Sequence, residues 1–185
     1  MSYVKQSDNK HALFGGSQYH WIGYDTDKLL SYIENYKAKE RGTRIHAYAA
    51  ESIDLGQKLP KSRKTLNMFV NDAIGFGMEP EKKVAYSDLF WGTADALSFR
   101  KNLLRIHDLK TGATPAHMEQ LYIYAAFFCL QHGLKPGDIE MELRIYQSNN
   151  IIRCVPEVED IVPIMDKTVQ FDKIINEIRD RGEWI

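Results

Sequence analysis

Residues 91–112, WGTADALSFRKNLLRIHDLKTG, hold two short runs rich in aromatic and β-branched residues, 91–99 and 103–110, separated by Arg100-Lys101-Asn102. Short runs of this kind on either side of a polar turn read as paired strands. A third run, 83–88, precedes Trp91 by little more than a turn, so the spacing predicts an antiparallel meander of three strands. Beyond it, Thr114 followed by Pro115 signals a helix start, and the apolar run up to Leu130 ends at His132-Gly133. Two further strands fit 139–147 and 151–155 across the polar turn Ser148-Asn149-Asn150, and residues 157–181 close as a helix. Upstream, apolar residues at helical spacing predict three helices. The first runs from a Thr26 cap through Leu29, Leu30, Ile33 and Tyr36 to Gly42. The second carries Ile45, Tyr48, Ala49 and Ile53 from Thr43 to Gly56, and the third carries Leu66, Phe69, Val70, Ala73 and Ile74 from Ser62 to Gly75. This order predicts a mixed α/β (α+β) chain: N-terminal helices preceding the meander, a mixed central sheet flanked by helices, and a central helix crossing one sheet face. Residues 1–20 read as a loosely attached segment and 21–185 as a single domain.

The 185 residues, 44% hydrophobic and 26% charged, suit one globular domain and exclude disorder or a fibrous repeat. No apolar run approaches the roughly 18 residues of a membrane span, and the polar start MSYVKQSDNK lacks a signal pattern, which implies a soluble, intracellular protein without membrane partners. Cys129 and Cys154 fall short of the four ligands of a structural zinc site or an iron–sulfur cluster. The net charge of −1 hides an asymmetry: residues 1–110 hold 17 Lys/Arg against 13 Asp/Glu, and residues 111–185 hold 7 against 12. The positive part includes Lys58, Lys61, Arg63 and Lys64 around a proline, then Lys82, Lys83, Arg100, Lys101 and Arg105. Such lysines serve either as a solvated surface or as phosphate contacts.

Several chemistries drop out. There is no GxxxxGK[ST] loop, the GFG at Gly75 to Gly77 lacks the later glycine and preceding strand of a dinucleotide site, and neither GxSxG, HExxH nor CxxC occurs. What remains lies around the meander. Asp108 and Lys110 flank Leu109 at a strand end, so the period of two points both side chains to one face. Asp95 lies in the neighbouring strand among Gly92, Thr93, Ala94 and Ala96, small residues that leave room for a ligand near the backbone. Carboxylates in a half-buried sheet need a partner. Two readings stay open on the residues alone: a salt bridge between Lys110 and an aspartate, or a divalent cation. His46, in GTRIH, stands on a helix upstream, and Gln120 and Tyr124 are i and i+4 on one face of the helix after the meander.

GTRIH followed by Glu51, then WGTADA, IHDLKTG and QLYIYA, resembles the ordered motifs of RecB-type and lambda-exonuclease-like nucleases of the PD-(D/E)XK superfamily. The resemblance covers about residues 42–125 and implies a restriction-endonuclease-like α-β-β-β-α-β core. It implies that His46, Asp95 and Asp108 are metal ligands, with the Leu109 carbonyl as a further one, that Asp95, Asp108 and Lys110 are catalytic, and that Gln120 and Tyr124 sit near the DNA backbone or the active site. Mg²⁺ or Mn²⁺ is then the cofactor, and His46 favours Mn²⁺ because imidazole is a softer ligand than oxygen. The cluster-bearing relatives use four cysteines, so no iron–sulfur cluster is expected. Glu51 lies about 140° around an ideal helix from His46 and is left out of the ligand set.

The function so implied is a metal-dependent deoxyribonuclease, an exonuclease acting on DNA ends in recombination, repair or phage DNA processing, in the cytoplasm of a bacterial or phage-infected cell. Lys58, Lys61, Arg63 and Lys64 would contact phosphates, and the expected partners are DNA, a recombination or annealing protein and further copies of the chain. The alternatives are a structure-specific or restriction-like endonuclease and a non-catalytic nucleic-acid-binding subunit. His107 points away from Asp108, and it reads with His11, His20, His117 and His132 as structural or surface. Trp91, Tyr122 and Phe127 read as core rather than base-stacking residues.

Overall fold

The computed structural model describes residues 12–183. The chain divides into two compact units between Arg41 and Gly42. Of the loosely attached segment expected over 1–20, residues 1–11 lie outside the described residues, and His11 with them. In the first unit a short 3-10 stretch, Gly16–Gly23, carries Trp21 back onto Phe14. Tyr32 meets Phe14 and Tyr24 at ring separations of 5.4 and 5.9 Å, and its hydroxyl donates to the Leu13 carbonyl. This stretch has no regular apolar period, so its sequence carries no signal for an element.

Helix α1, Thr26–Asp54, is continuous where two helices were expected, with Gly42 buried in its interior. Gly42 is there for closeness rather than to end the helix: a Cβ at this position would lie 2.9 Å from Thr111 Oγ1. Helix α2 follows over Thr65–Phe76 and ends at Gly77, whose left-handed φ of 61° closes it.

The second unit is built on a five-stranded mixed sheet ordered β1-β2-β3-β4-β5. Strands β1 (Glu79–Ala85), β2 (Trp91–Arg100) and β3 (Leu103–Leu109) form the expected antiparallel meander. Lys101 and Asn102 both take positive φ in the tight turn between β2 and β3. Strand β1 starts four residues earlier than expected and contains Pro80, which an edge strand tolerates because one side of it has no ladder to feed. Helix α3, Glu119–His132, then crosses to β4 (Glu140–Gln147), parallel to β3, and β4 turns through Ser148 and Asn149 into β5 (Asn150–Cys154). The Thr114-Pro115 signal does not start α3. Gln147 accepts from Ala116 N and donates to the carbonyls of Gly112 and Thr114, holding the bend at residues 112–116 out of a helix. Helix α4, Val158–Asp180, starts with a capping box between Glu157 and Asp160.

Apolar clusters cover both sheet faces. On one, Leu97, Leu104, Ile106, Leu143 and Ile145 pack with Leu121, Ala125 and Phe128 of α3 and Ile161 of α4. On the other, Ala96, Leu109 and Tyr146 pack with Ala49 and Ile53 of α1 and Phe69, Val70 and Ala73 of α2. His107 belongs to this second face and is fully buried, its ring against Phe76 and Tyr146. Burial, with the nearby charges of Arg144 and Arg105, pushes its pKa down from 6.5 to about 3, so the folded chain holds it neutral. Between those values the unfolded chain binds a proton that the folded chain refuses. Stability from this group is therefore complete above pH 6.5 and falls as pH drops towards 3, by at most about 1.4 kcal/mol per pH unit. Urea unfolding midpoints across that range should show the slope, and His107→Phe, which keeps the ring packing, should flatten it.

Candidate active site

The alternation of side chains along β1 and β2 breaks at one level of the ladder. Ala94 and Leu97 belong to the α3-facing cluster although they are three residues apart, and Ala96 belongs to the opposite one. The change of face thus falls at Asp95–Ala96. Across the ladder, Pro80 pairs with Ala96 and Lys82 with Ala94, which leaves Glu81 opposite Asp95, and Glu81 takes a φ of 47°. A left-handed backbone costs a non-glycine residue on the order of 1–3 kcal/mol and persists where the surroundings hold it. On the other side of β2 the pairing runs only to Ala96 with His107. Glu81 and Asp95 therefore stand opposite each other across β1 and β2, and Asp108 follows His107 on β3, near enough for the Asp95 charge to act on it.

Both oxygens of Asp95 are engaged. Oδ1 lies 3.1 Å from His46 Nδ1 on α1, and Oδ2 accepts from the Leu109 amide at 2.7 Å, in place of a ladder carbonyl where the pairing of β2 with β3 stops. His46, Glu81 and Asp95 each offer a ligand atom within 4.8 Å of the other two. They line an open cavity of about 530 Å³ with Gly42, Thr43 and Ala47. The bond to Asp95 raises the His46 pKa above 6.5. Partial desolvation and then the Asp95 charge raise that of Glu81.

Asp108 is deeply buried, and that burial, reinforced by the Asp95 charge, raises its pKa despite the opposing effect of Lys110. The Lys110 ammonium lies 3.1 Å from each Asp108 oxygen but donates to Oδ1, so Oδ2 accepts no hydrogen bond. Lys110 Nζ also donates to Gln120 Oε1 at 2.7 Å, and Gln120 Nε2 donates to the Tyr124 hydroxyl at 2.7 Å. The i, i+4 pair on α3 thus holds the lysine. Tyr124 lies on Gly92, where a Cβ would come within 2.5 Å of its ring. The room that Gly92 leaves beside the backbone is therefore filled by Tyr124 rather than open to a ligand, a correction to the sequence reading.

His46, Asp95, Asp108, Lys110, Gln120 and Tyr124 all meet around the end of β3. Leu109 contributes its amide to Asp95, and its side chain is core. Lys58, Lys61, Arg63 and Lys64 are exposed on the loop between α1 and α2, which Asn67 and Asn71 tie to α2 through the backbone of Pro60 and Leu59. The start of α2, at Thr65 and Leu66, shares a cavity of about 290 Å³ with Lys110 and Thr111. Sequence reasoning missed Glu81: with β1 started at residue 83, the register that sets it opposite Asp95 was not visible. Phe127 is core and Tyr122 packs against it with its hydroxyl 3.4 Å from Cys154 Sγ, but Trp91 is 54% exposed, which corrects its assignment to the core. His20, His117 and His132 are exposed.

No family model matches the chain, and neither a curated protein nor a solved structure does.

Gly92→Ala should cost about 1–3 kcal/mol by forcing Tyr124 aside. In a Tyr124→Ala background most of that cost should vanish, a coupling that denaturant unfolding of the four proteins measures.

Proposed function

We propose that this chain is a metal-dependent DNA nuclease that hydrolyses phosphodiester bonds from DNA ends, on a restriction-endonuclease-like core. One observation carries the reading: His46, Glu81 and Asp95 offer ligand atoms within 4.8 Å of one another, and the buried Asp108 pairs with an ammonium group that Gln120 also holds. Carboxylates brought together repel one another and any phosphate; the pKa values of Glu81 and Asp108 are raised, by burial first and by the Asp95 charge second. A divalent cation removes both penalties. The donor set fits one: hard carboxylate oxygens of Glu81 and Asp95 and the His46 imidazole, to which Asp108 would add a buried oxygen that accepts no hydrogen bond. The likeness of the motifs to RecB-type nucleases and the element order agree with it.

His46, Glu81, Asp95 and Asp108 would hold Mg²⁺ or Mn²⁺. Such an ion offsets the charge developing on the phosphate and lowers the pKa of a bound water. Lys110 Nζ orients the attacking water and donates to the oxygens that gain charge, a task suited to a compact ammonium with rotatable donors. Gln120 and Tyr124 fix its position. Asp95 holds His46 and the end of β3 in register, so one carboxylate both joins the ligand set and keeps it assembled. Lys58, Lys61, Arg63 and Lys64 supply positive charge for the phosphates flanking the site. Ends would be selected by the shape of a channel, which needs no base contacts. The 57–64 loop, or several copies in a ring, would form that channel, and a recombination or annealing protein would supply opened substrate. Among the described residues no helix is long and apolar enough to cross a membrane.

Linear DNA should be degraded progressively with Mg²⁺ or Mn²⁺ while covalently closed circles survive, and the rate should fall steeply with salt. Efficient cutting of closed circles would favour an endonuclease, and binding without any cleavage would favour a non-catalytic subunit. Lys110→Ala should lower cleavage by about 10²–10⁴-fold while leaving DNA affinity largely intact, and Lys110→Arg should not restore it. Calorimetric titration with Mn²⁺ should show binding that weakens in Glu81→Gln and Asp95→Asn; unchanged affinity in both would remove the metal from this cavity.

A further inference from the structure

Trp91 and Lys83 lie on the solvent side of the β1–β2 hairpin and point the same way: Trp91 is opposite Ala85 in the register and Lys83 opposite Thr93. Gly92 and Val84, the residues between, turn to the α3 side, against Tyr124 and the core. The Lys83 ammonium lies 4.6 Å from the centre of the indole ring, and Lys83 is itself exposed. The indole is 54% exposed, and the Lys83 ammonium lies over its face. Two residues along each strand from Lys83 and Thr93 lie Glu81 and Asp95, so a strip of exposed and partly exposed residues runs from the carboxylates to the indole. Its length is about 13 Å, four residues at about 3.3 Å each. Stacked nucleotides rise about 3.4 Å each along a strand, so a few of them span it.

Resting on the nuclease reading above, we propose that Trp91 is a stacking platform for an unpaired base of the DNA strand whose phosphate lies at the carboxylate cluster, with Lys83 meeting a phosphate between. The chemistry of the strip points to this occupant. An aromatic face takes any base without reading its sequence, and the Lys83 ammonium, which lies over the indole, would give way to the base and take the backbone charge. A base inside a duplex is already stacked on its neighbours, so the platform engages only single-stranded DNA, whether a frayed end or an overhang. Substrate with an unpaired end is therefore bound more tightly than a blunt duplex.

The test uses the full chain carrying Lys110→Ala, so that substrate stays intact, and end-labelled single-stranded oligonucleotides with one abasic site walked along their length. Fluorescence anisotropy should find a position where base removal weakens binding about tenfold, the worth of one stacked base. Adding Trp91→Ala should weaken binding of the intact oligonucleotide by a similar factor and erase the position-specific loss, while Trp91→Phe keeps much of it. Circular dichroism of each variant checks that it is folded. A flat abasic profile, or the same profile with and without Trp91, would overturn the proposal. So would a change of oligomeric state in Trp91→Ala, which would assign the indole to a second copy of the chain. Digestion assays on the wild type separate this outcome from the parent reading: cleavage without the abasic coupling removes the platform alone, and the coupling without cleavage under Mg²⁺ or Mn²⁺ removes the nuclease alone.

Discussion

Asp95 ties three elements together through one carboxylate. One oxygen meets His46 on α1 and the other accepts the Leu109 amide of β3, while its backbone belongs to β2. A carboxylate can do this only where the strand ladder has opened, because a continuous ladder would give the Leu109 amide a carbonyl instead. The opening has a local cause in the change of face at Asp95–Ala96 and the left-handed Glu81 across from it. Without that break, β1 to β3 would be a regular meander with alternating faces. Glu81 and Asp95 would then lie on it as ordinary surface residues.

Once the break is made, charge dictates the surroundings. Asp108 next to Asp95 is buried and lacks a donor at one oxygen, so it depends on Lys110 for its charge balance. Lys110 would sweep a wide volume on its own, since a lysine side chain has about 2 kcal/mol of rotamer entropy to lose. Gln120 and Tyr124, one turn apart on α3, confine it, and Gly92 makes space for the tyrosine ring. The helix that completes the parallel crossover therefore also sets the position of the ammonium. Crossover connection and candidate chemistry are one piece of architecture.

A second charged group occupies the far end of β4 and is built differently. Glu142 is buried and meets Arg105, Arg144 and Arg153, and Arg144 reaches on to Asp72, which accepts from the Tyr146 hydroxyl. Here the buried Glu142 and the half-buried Asp72 have cationic donors on protein side chains. The contrast with Glu81, Asp95 and Asp108, where carboxylates outnumber nearby cations, separates a structural network from a site that calls for something from outside.

The motifs of the candidate site were legible because they are short and local. DLK at a strand end and QLYIY on a helix set their side chains on one face by the periods of two and 3.6, and neither needs tertiary information. The meander, the crossover helix and both tight turns were read for the same reason: alternation and turn chemistry act within a few residues. Tertiary contact decided the rest. Gly42 ends no helix because Thr111, distant in sequence, requires its missing side chain, and Thr114-Pro115 starts none because Gln147, on β4, binds the backbone of Gly112, Thr114 and Ala116 and fixes it in a bend. Glu81 joins the carboxylates, and Trp91 faces solvent, only through the register of β1 on β2. A strand sequence shows which residues alternate. Where the alternation breaks depends on what the two neighbouring strands do to each other, and that is settled when they pair.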